Sequence, residues 1–478
     1  MSKNKEGLSV KKSNFSEWYQ EMITKSELAD YTNVSGCIVF RPLAYSVWEI
    51  VQNTIDKSFK KIGIKNAYFP VFIPESTLSK EKEHVKGFTP EVAWVTQAGN
   101  TKLKEKLAVR PTSETIIYES YSRWIRSWRD LPLKINMWNN VVRWEFKHPV
   151  PFLRTREFLW NEGHHVYSNK KDLEKDRDKI LKIYQDFLKD YMALPSMLGI
   201  KSKKEKFAGA EETYSIELYL PNGKAIQGPD YHDDGQNFAK AYGIKFKDKN
   251  GKEEFAYQST YAITTRMLGV MFAMHSDDKG LILPPKMSEN KAVIVPVMFE
   301  KNKNVLKKAN EIKKVLSSLN PIFDDRNYVT PGKKYNEWEL KGIPLRIEIG
   351  PKDLEKKQAV IIRRDNGQKK FVKIKDLKKT AKEELEKMQK SLYEKAKKLL
   401  DSNVEKSSSL SDAIKKLKEN KIVLVPLENS VSAEDLLKEK LSGVKTLNAP
   451  LKQPSTEGVK CIISNKQADH WIYIGKSY

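Results

Sequence analysis

The stretch at residues 141–165, VVRWEFKHPVPFLRTREFLWNEGHH, reads as two strands joined by a loop. Arg143 and Glu145 lie two apart on the first strand and so point to one face, because side chains alternate along a strand. The loop adds Arg154, Thr155 and Arg156. A cation, a carboxylate and a second cationic cluster then converge on one sheet surface. That combination suits a ligand with an anionic part and a hydrogen-bonding ring, such as a nucleotide. The alternative is an ordinary amphipathic hairpin with a salt-bridged face, since surface charge pairs are common.

Around this hairpin, KINMWNNVVRWEF, FLWNEGHHVY and KAIQG carry strand patterns, and residues 171–192 read as a helix. Upstream, residues 15–29 form a helical segment. In FRPLAYSVWEIVQNTIDKSFKKIG, the residues Val47, Ile50, Val51, Ile55, Phe59 and Ile62 recur at helical spacing, and Gly63 is a suitable terminator. The strand NAYFPVFIP follows, and Pro70 and Pro74 place it at an edge or interface because they lack backbone donors. Antiparallel strands with helices packed outside predict an α+β unit, built on an antiparallel sheet, over residues 1–286. The LPP at residues 283–285 ends that pattern.

Helix and strand then alternate through KAVIVPV, residues 303–319, PIFDD, PLRIEIG and QAVIIRRD, which predicts an α/β unit over residues 287–402. Its last helix, residues 376–400, aligns Leu377, Ala381, Leu385, Met388, Leu392 and Leu399 on one stripe. DSNVEKSSSLSD reads as a linker. Residues 403–478 hold a third, small α/β unit with KIVLVP, SAEDLLKEKL, GVKCIIS and HWIYIGKSY.

Composition narrows the function. The 478 residues suffice for two to four domains. Lys and Arg exceed Asp and Glu by 86 to 62, and a formal charge of +24 attracts polyanions, nucleic acid first. The alternative is a generally Lys-rich proteome. Cys37 and Cys461 are the two cysteines, which cannot build a disulfide framework and point to a reducing compartment. The start, MSKNKEGLSVKKSNFSEW, lacks a signal-peptide core, and no run of about 18 apolar residues exists to span a membrane. The expectation is a soluble, cytoplasmic protein.

Neither GxxxxGK[ST] nor HExxH occurs. Glu162, His164 and His165 make a poor metal cluster, because adjacent strand residues point to opposite faces. Three other windows join the hairpin. In VRPTSET, residues 109–115, Thr112 and Glu114 offer a hydroxyl and a carboxylate for a small ammonium or imino group; the alternative is a helix cap. In AIQGPDYHDDGQNF, residues 225–238, Gln227 ends a strand, and Asp230, His232 and Asp233 crowd a loop; the alternative is a solvated turn. In YQSTYAITTRMLGVMFAMHSDDKGLILPP, residues 257–285, Arg266 falls in the first turn of a helix starting near Thr265. A cation there opposes the helix dipole. A phosphate would satisfy both dipole and Arg, the alternative being a buried carboxylate partner.

These four windows, in this order, resemble the class II aminoacyl-tRNA synthetases, and within them the prolyl-tRNA synthetase family of archaeal and eukaryote-like type. The helix and strand ending at Pro70 resemble motif 1, VVRWEFKHPVPFLRTREFLWNEGH motif 2, and TYAITTRMLG with HSDDKGLILPP motif 3. VRPTSET is similar to the family's proline-binding loop, NEWELKGIPLRIEIGPKD to its anticodon-binding domain, and IYIGKSY to its C-terminal end.

The resemblance implies a homodimer that joins L-proline to tRNA(Pro) with ATP and Mg²⁺. Arg143 would hold the α-phosphate and the proline carboxylate, and Glu145 the adenine amino group. Arg154 and Thr155 would hold ATP from the motif 2 loop, and Thr264 and Arg266 the β- and γ-phosphates. Gln227 would touch ATP and a Mg²⁺, and Asp230 falls at an ATP-contacting position. Thr112, Glu114 and His232 would line the proline pocket. Glu339, Arg346, Lys352 and Asp353 would read the anticodon.

The chain departs from the family at three places. It has Asp230, Tyr231 and His232 where Thr-Ser-His is usual, and Tyr261-Ala262 where Trp-Gly is usual. The family's C-terminal domain often holds zinc on four cysteines, but here Cys461 stands alone and Ser464 replaces a partner, so no zinc is expected. The segment between Glu162 and Ala262 reads as sheet continuation, so no editing domain is expected there. A pocket that selects by shape discriminates poorly against smaller analogues, and alanine mischarging is expected. Two rivals are a class II synthetase for another small amino acid and an inactive RNA-binding paralogue. The second would be expected to lose Arg143, Arg266 or Glu114, and all three are present.

Overall fold

The computed structural model describes residues 7–78, 91–145 and 147–478. His84, and Phe146 of the opening stretch, lie outside these residues. Helix α1 (Phe15–Lys25) precedes α2 (Pro42–Lys61). Pro42 opens α2, where a missing N–H costs nothing, and Gly63 turns the chain out of it with φ +84°. NAYFPVFIP is not one strand. It divides into β1 (Lys65–Asn66) and a separate strand, Phe72–Pro74, in a three-stranded sheet. Pro70 lies between the two pieces and cannot donate to a ladder.

The main sheet adds β2 (Leu133–Val142), β3 (Glu157–Tyr167), β4 (Met197–Ile200), β5 (Glu212–Tyr219), β6 (Ala225–Gly235) and β7 (Tyr257–Thr264). Its spatial order is Ala449–Pro450, β4, β5, β6, β7, β3, β2, β1, and every pairing is antiparallel except β1 with β2. Helix α3 (Glu114–Trp124), α4 (Lys170–Asp190), α5 (Asn237–Tyr242) and α6 (Arg266–His275) complete this unit. α2, α4 and α6 pack through Val51, Ile55, Phe59, Tyr184, Tyr261 and Met271 in one large apolar cluster. α3 and α5 close the other face at one end through Tyr118, Tyr121, Phe238 and Ala239, packed on Met137 and Val166. Among the described residues, the rest of that face borders a cavity.

Two boundaries correct the sequence expectation. β2 ends at Val142, so Arg143 and Glu145 lie beyond the strand; Trp144 donates its N–H to the Glu91 carbonyl at 2.9 Å instead of continuing the ladder. β6 runs through Gly235, so Asp230, His232 and Asp233 are strand residues and not a loop. The ladder with β5 shifts register between Ser215 and Glu217, opposite Gln227 to Asp230. This irregularity accommodates Pro229, which has no N–H to donate.

The family departures fall into cross-strand pairs. Asp230 lies opposite Ala262, and Tyr231 opposite Tyr261. The two Tyr rings stack on the helix-covered face, 6.1 Å apart and 3° from parallel, and the Tyr261 hydroxyl meets His165 Nε2 at 2.8 Å. Tyr261 fits there because its β3 neighbour is Gly163; a Cβ at that position would lie 1.9 Å from the ring.

A second sheet is ordered Ile322–Phe323, Ala292–Pro296, Leu345–Ile349, Gln358–Arg363, Lys369–Lys373, with the last strand not foreseen from sequence. Helices Lys303–Val315 and Leu377–Asp401 cover one face through Val305, Ile312, Leu377, Ala381 and Leu385. On the other, Asp324 is buried and accepts from Arg326 at 2.8 and 2.7 Å and from Trp338 Nε1 at 2.8 Å. Lys334, equally buried, stands 3.5 Å away. Burial would raise the Asp324 carboxyl, but Arg326, Trp338 and Lys334 outweigh it and hold its pKa at about 2. A depressed carboxylate contributes stability above its unfolded pKa of about 4 that is lost as pH falls towards 2. We predict that Asp324→Ala, which leaves buried Lys334 uncompensated, costs about 3–5 kcal/mol at pH 7. In urea unfolding its gap from wild type should shrink between pH 4 and 2; a constant gap would refute the assignment.

The expected linker DSNVEKSSSLSD is instead structured. It supplies Val404–Lys406, which pairs with Ile422–Leu427, and the start of helix Leu410–Lys418. The remaining strands of this third sheet are His470–Lys476 and Val444–Thr446. GVKCIIS is a turn with one isolated bridge rather than a strand. Cys461 is buried there and accepts from the Ser464 N–H at 3.4 Å, while the Ser464 hydroxyl donates to Glu428 at 3.0 Å. Across the first and second units, Arg364 clamps Asp277 at 2.7 and 3.0 Å. No helix among the described residues is long and apolar enough to cross a membrane.

Candidate active site

The open face holds a cavity of about 790 Å³. Thr112, Glu114, Arg143, Glu145, Thr155, Gln227, Asp230, His232, Thr264 and Arg266 all line it. The four sequence windows thus converge, although they span residues 109 to 285. Arg154 does not join them. It lines an adjoining cavity of about 190 Å³ and donates to a main-chain oxygen of Tyr478 at 2.9 Å. Leu153, Glu205, Gln227 and Arg266 form the wall shared by the two cavities.

Arg143 is held from several sides. Its Nε donates to the Pro111 carbonyl at 2.9 Å, and its guanidinium lies 5.3 Å from Trp160 and 5.6 Å from Phe158. Arg266 Nε donates to the Leu153 carbonyl and Nη1 to the Gln227 carbonyl, both at 3.2 Å. Neither arginine forms an ion pair among the described residues; these hydrogen bonds go to carbonyls. The alternative of a buried carboxylate partner for Arg266 therefore fails. Burial, then the charges of Arg143 and Arg154, lowers the Arg266 pKa, and Asp230 and Glu217 offset only part of this. Mutually repelling guanidinium groups in a cavity constitute an anion site.

The cavity also holds acidic groups. Glu114 is the first residue of α3, and the Thr112 hydroxyl donates to its carboxylate. Ser113, at the cap position, makes no cap bond and donates to Glu162 instead. Glu162 also accepts from Asn139 Nδ2 at 2.6 Å and faces His164 Nε2 at 3.1 Å. Burial would raise the Glu162 carboxyl, but these partners hold it below its ordinary value. His232 Nδ1 lies 3.0 Å from the Thr213 hydroxyl, and the ring stacks on Phe207 at 4.7 Å. Burial lowers its pKa against the opposing charges of Asp230 and Glu114, so His232 is neutral at pH 7.

Gln227 Nε2 donates to Asp230 at 2.9 Å, which directs its amide oxygen elsewhere. Phe207, Thr213, Trp160, Glu162, His164 and Thr260 also line the cavity and were not picked out as ligand contacts from sequence. Alternation along β3 could have placed Glu162 and His164 on one face, but nothing local marks Phe207. Of the expected anticodon residues, Arg346 donates to Glu348 at 2.8 Å and to Glu339 at 3.2 Å, and stacks 4.2 Å over Tyr335. Asp353 caps a short helix through the Gly350 N–H at 3.1 Å, and Lys352 is exposed.

Family models match the chain in succession. The class II tRNA synthetase core (G, H, P, S and T) covers residues 94–275, an anticodon-binding domain residues 291–384, and a prolyl-tRNA synthetase C-terminal domain residues 410–478. The unit that carries the cavity is thus a class II synthetase core. Proline--tRNA ligase of Ruminiclostridium cellulolyticum is 44% identical over 97% of both chains. The cytoplasmic proline--tRNA ligase of Arabidopsis thaliana is 43% identical over 99% of this chain and 91% of its own length. The chain belongs to the prolyl-tRNA synthetase family.

Proposed function

We propose that the chain activates L-proline with ATP to prolyl-adenylate and transfers the prolyl group to tRNA(Pro). The observation that carries this is one cavity that brings Arg143 and Arg266 together with the Thr112–Glu114 pair, with Arg143 anchored on the Pro111 carbonyl next to that pair. Arg143 takes the α-phosphate and the substrate carboxylate, whose oxygen attacks phosphorus as pyrophosphate leaves. An anchored guanidinium stabilises the charge that develops there without reorganisation. Arg266 and Thr264 take the β- and γ-phosphates, and Glu145 and Thr155 take the remainder of ATP. Glu114 and Thr112 accept from the imino group, and neutral His232 lines the ring. The tRNA 3′ ribose hydroxyl then attacks the adenylate carbonyl and AMP leaves. Positioning and electrostatics suffice, with no covalent enzyme intermediate.

The Gln227 amide oxygen and the Asp230 carboxylate are hard oxygen donors that would hold a Mg²⁺, which would supply positive charge towards pyrophosphate. This gives Asp230, an acid near phosphate, a purpose. Arg154 takes ATP only after releasing Tyr478. We divide the chain into a catalytic domain (1–286), an anticodon-binding domain (287–402) with Glu339, Arg346, Lys352 and Asp353 towards RNA, and a C-terminal domain (403–478). With one cysteine, the last has too few thiolates for a structural zinc site of the usual kind. A cytoplasmic homodimer is our reading, by analogy with the cytoplasmic relative and with motif 1. tRNA binding by so basic a chain should weaken with salt.

The test is amino-acid-dependent ATP–pyrophosphate exchange with all twenty amino acids. Exchange with proline, beyond any weak alanine signal, is expected. A folded protein active with none would favour an inactive RNA-binding paralogue. The segment between Glu162 and Ala262 continues the sheet with β4–β6 and α4. An alanine-dependent adenylate is therefore predicted at high alanine; its absence would count against selection by shape alone.

A further inference from the structure

Asp234 is a carboxyl group that none of these steps uses. It lies on β6 two residues beyond His232, at a bulge where the ladder with β7 shifts register between Asp233 and Gly235, and it has Glu114 and the Thr260 hydroxyl of the cavity wall as neighbours. Its side chain is fully buried, and neither oxygen has a well-formed hydrogen bond. Gln258, opposite Gly235 on β7, is also fully buried, with both amide atoms unpaired. Unsatisfied polar atoms just behind the cavity wall are costly unless water or a change of protonation relieves them.

The surroundings of Asp234 are acidic. α3 contributes Glu114, β6 itself contributes Asp233, and the segment entering β5 contributes Glu211; β7 offers only the Thr260 hydroxyl. From β3, His164 faces Glu162. α5, packed on β6, carries one charged residue, the exposed Lys240. Lys170 is engaged with Glu211 at 3.0 Å. Burial first, then Glu114 and Asp233, pushes the Asp234 carboxyl well above the ordinary carboxylate range, and Thr260 offsets only part.

We propose that Asp234 carries a proton in the empty site and releases it to bulk water when the substrate's ammonium docks against Glu114. The proposal rests on the reading of Thr112–Glu114 as the imino-binding pair. The balance is simple: Asp234–COOH and a free secondary ammonium become Asp234–COO⁻ beside a bound ammonium, and one proton passes to the buffer. The sign follows from electrostatics, since an added cation favours the ionised form of a neighbouring acid. By Coulomb's law with an effective dielectric near 20, a cation about 10 Å from an acid lowers its pKa by roughly one unit. Between the bound and free pKa values, proline affinity therefore rises with pH. Below both there is no release. Burial also lowers the pKa of His232 on the same strand, and Asp234→Asn leaves His232 in place, so only the release lost in that variant belongs to Asp234.

The test is calorimetric titration of the full chain with L-proline at several pH values between 6 and 9, in buffers of unlike ionisation enthalpy. Wild type should show buffer-dependent heats corresponding to release of a substantial fraction of one proton at the maximum. Asp234→Asn, an uncharged near-isostere, should bind proline within about tenfold of wild type at pH 6 and lose that release and the associated pH dependence. Buffer-independent heats in wild type across the whole range would overturn the proposal, as would undiminished release in Asp234→Asn. A folded wild type that binds no proline overturns the substrate reading together with it, so the two failures are distinguishable.

Discussion

Arg143→Ala abolishes proline-dependent pyrophosphate exchange, by about a thousandfold or more, while tRNA binding survives. The expected size reflects three losses at one atom group. In the proposed reaction the guanidinium would supply positive charge where the phosphorus becomes crowded with oxygen, and removal of a single oriented donor at such a point costs about 10²–10³ in rate. It would also orient the attacking carboxylate. Its fixed position comes from the Pro111 carbonyl at 2.9 Å and the flanking Trp160 and Phe158 rings, none of which Ala can use. Arg143→Lys is expected to recover little, because an ammonium cannot reproduce the planar fork. Retention of tRNA binding separates a chemical defect from misfolding. Near-normal exchange by the Ala variant would sink the assignment.

Glu114→Gln raises the KM for proline by about a hundredfold and leaves the KM for ATP within a few-fold. Glu114 is 6% exposed, so in a low-dielectric wall the proposed contact with a substrate ammonium would be worth more than a surface pair. Gln keeps the shape and can still accept from Thr112, so the loss isolates the charge. The carboxylate also sits at the first position of α3, where it favours the helix dipole, and the substitution costs up to about 1 kcal/mol of stability. Thermal unfolding of the same samples measures that part separately. An equal rise in both KM values would show that Glu114 shapes the whole cavity rather than one end of it.

Much of this arrangement is legible in linear order, and the exceptions have definite causes. The helical stripe of α2, its Pro start and its Gly stop are local features and occur where periodicity indicates. The strand NAYFPVFIP fails because two sheets compete for it, and Pro70 separates the claims. The apparent loop at Asp230 fails for the opposite reason. Its polar residues look solvated, but neighbours on both sides, β5 and β7, supply ladder partners and draw them into a central strand. The serine-rich segment before residue 412 reads as a linker because a three-residue strand leaves almost no pattern.

The order of the four windows, the resemblance to one synthetase family and the identities of the arginines and acids are properties of the sequence alone. They depend on residue type and spacing within short windows. The tertiary structure decided which of those groups meet. It carried Arg143 past the end of its strand yet kept it in the cavity, and it turned Arg154 towards Tyr478 in the adjoining one. It also set Asp230 against Ala262 and Tyr231 against Tyr261, so that apparently separate departures from the family became two cross-strand pairs. Register between strands some thirty residues apart follows from packing on both faces of the sheet. No local spacing encodes that packing.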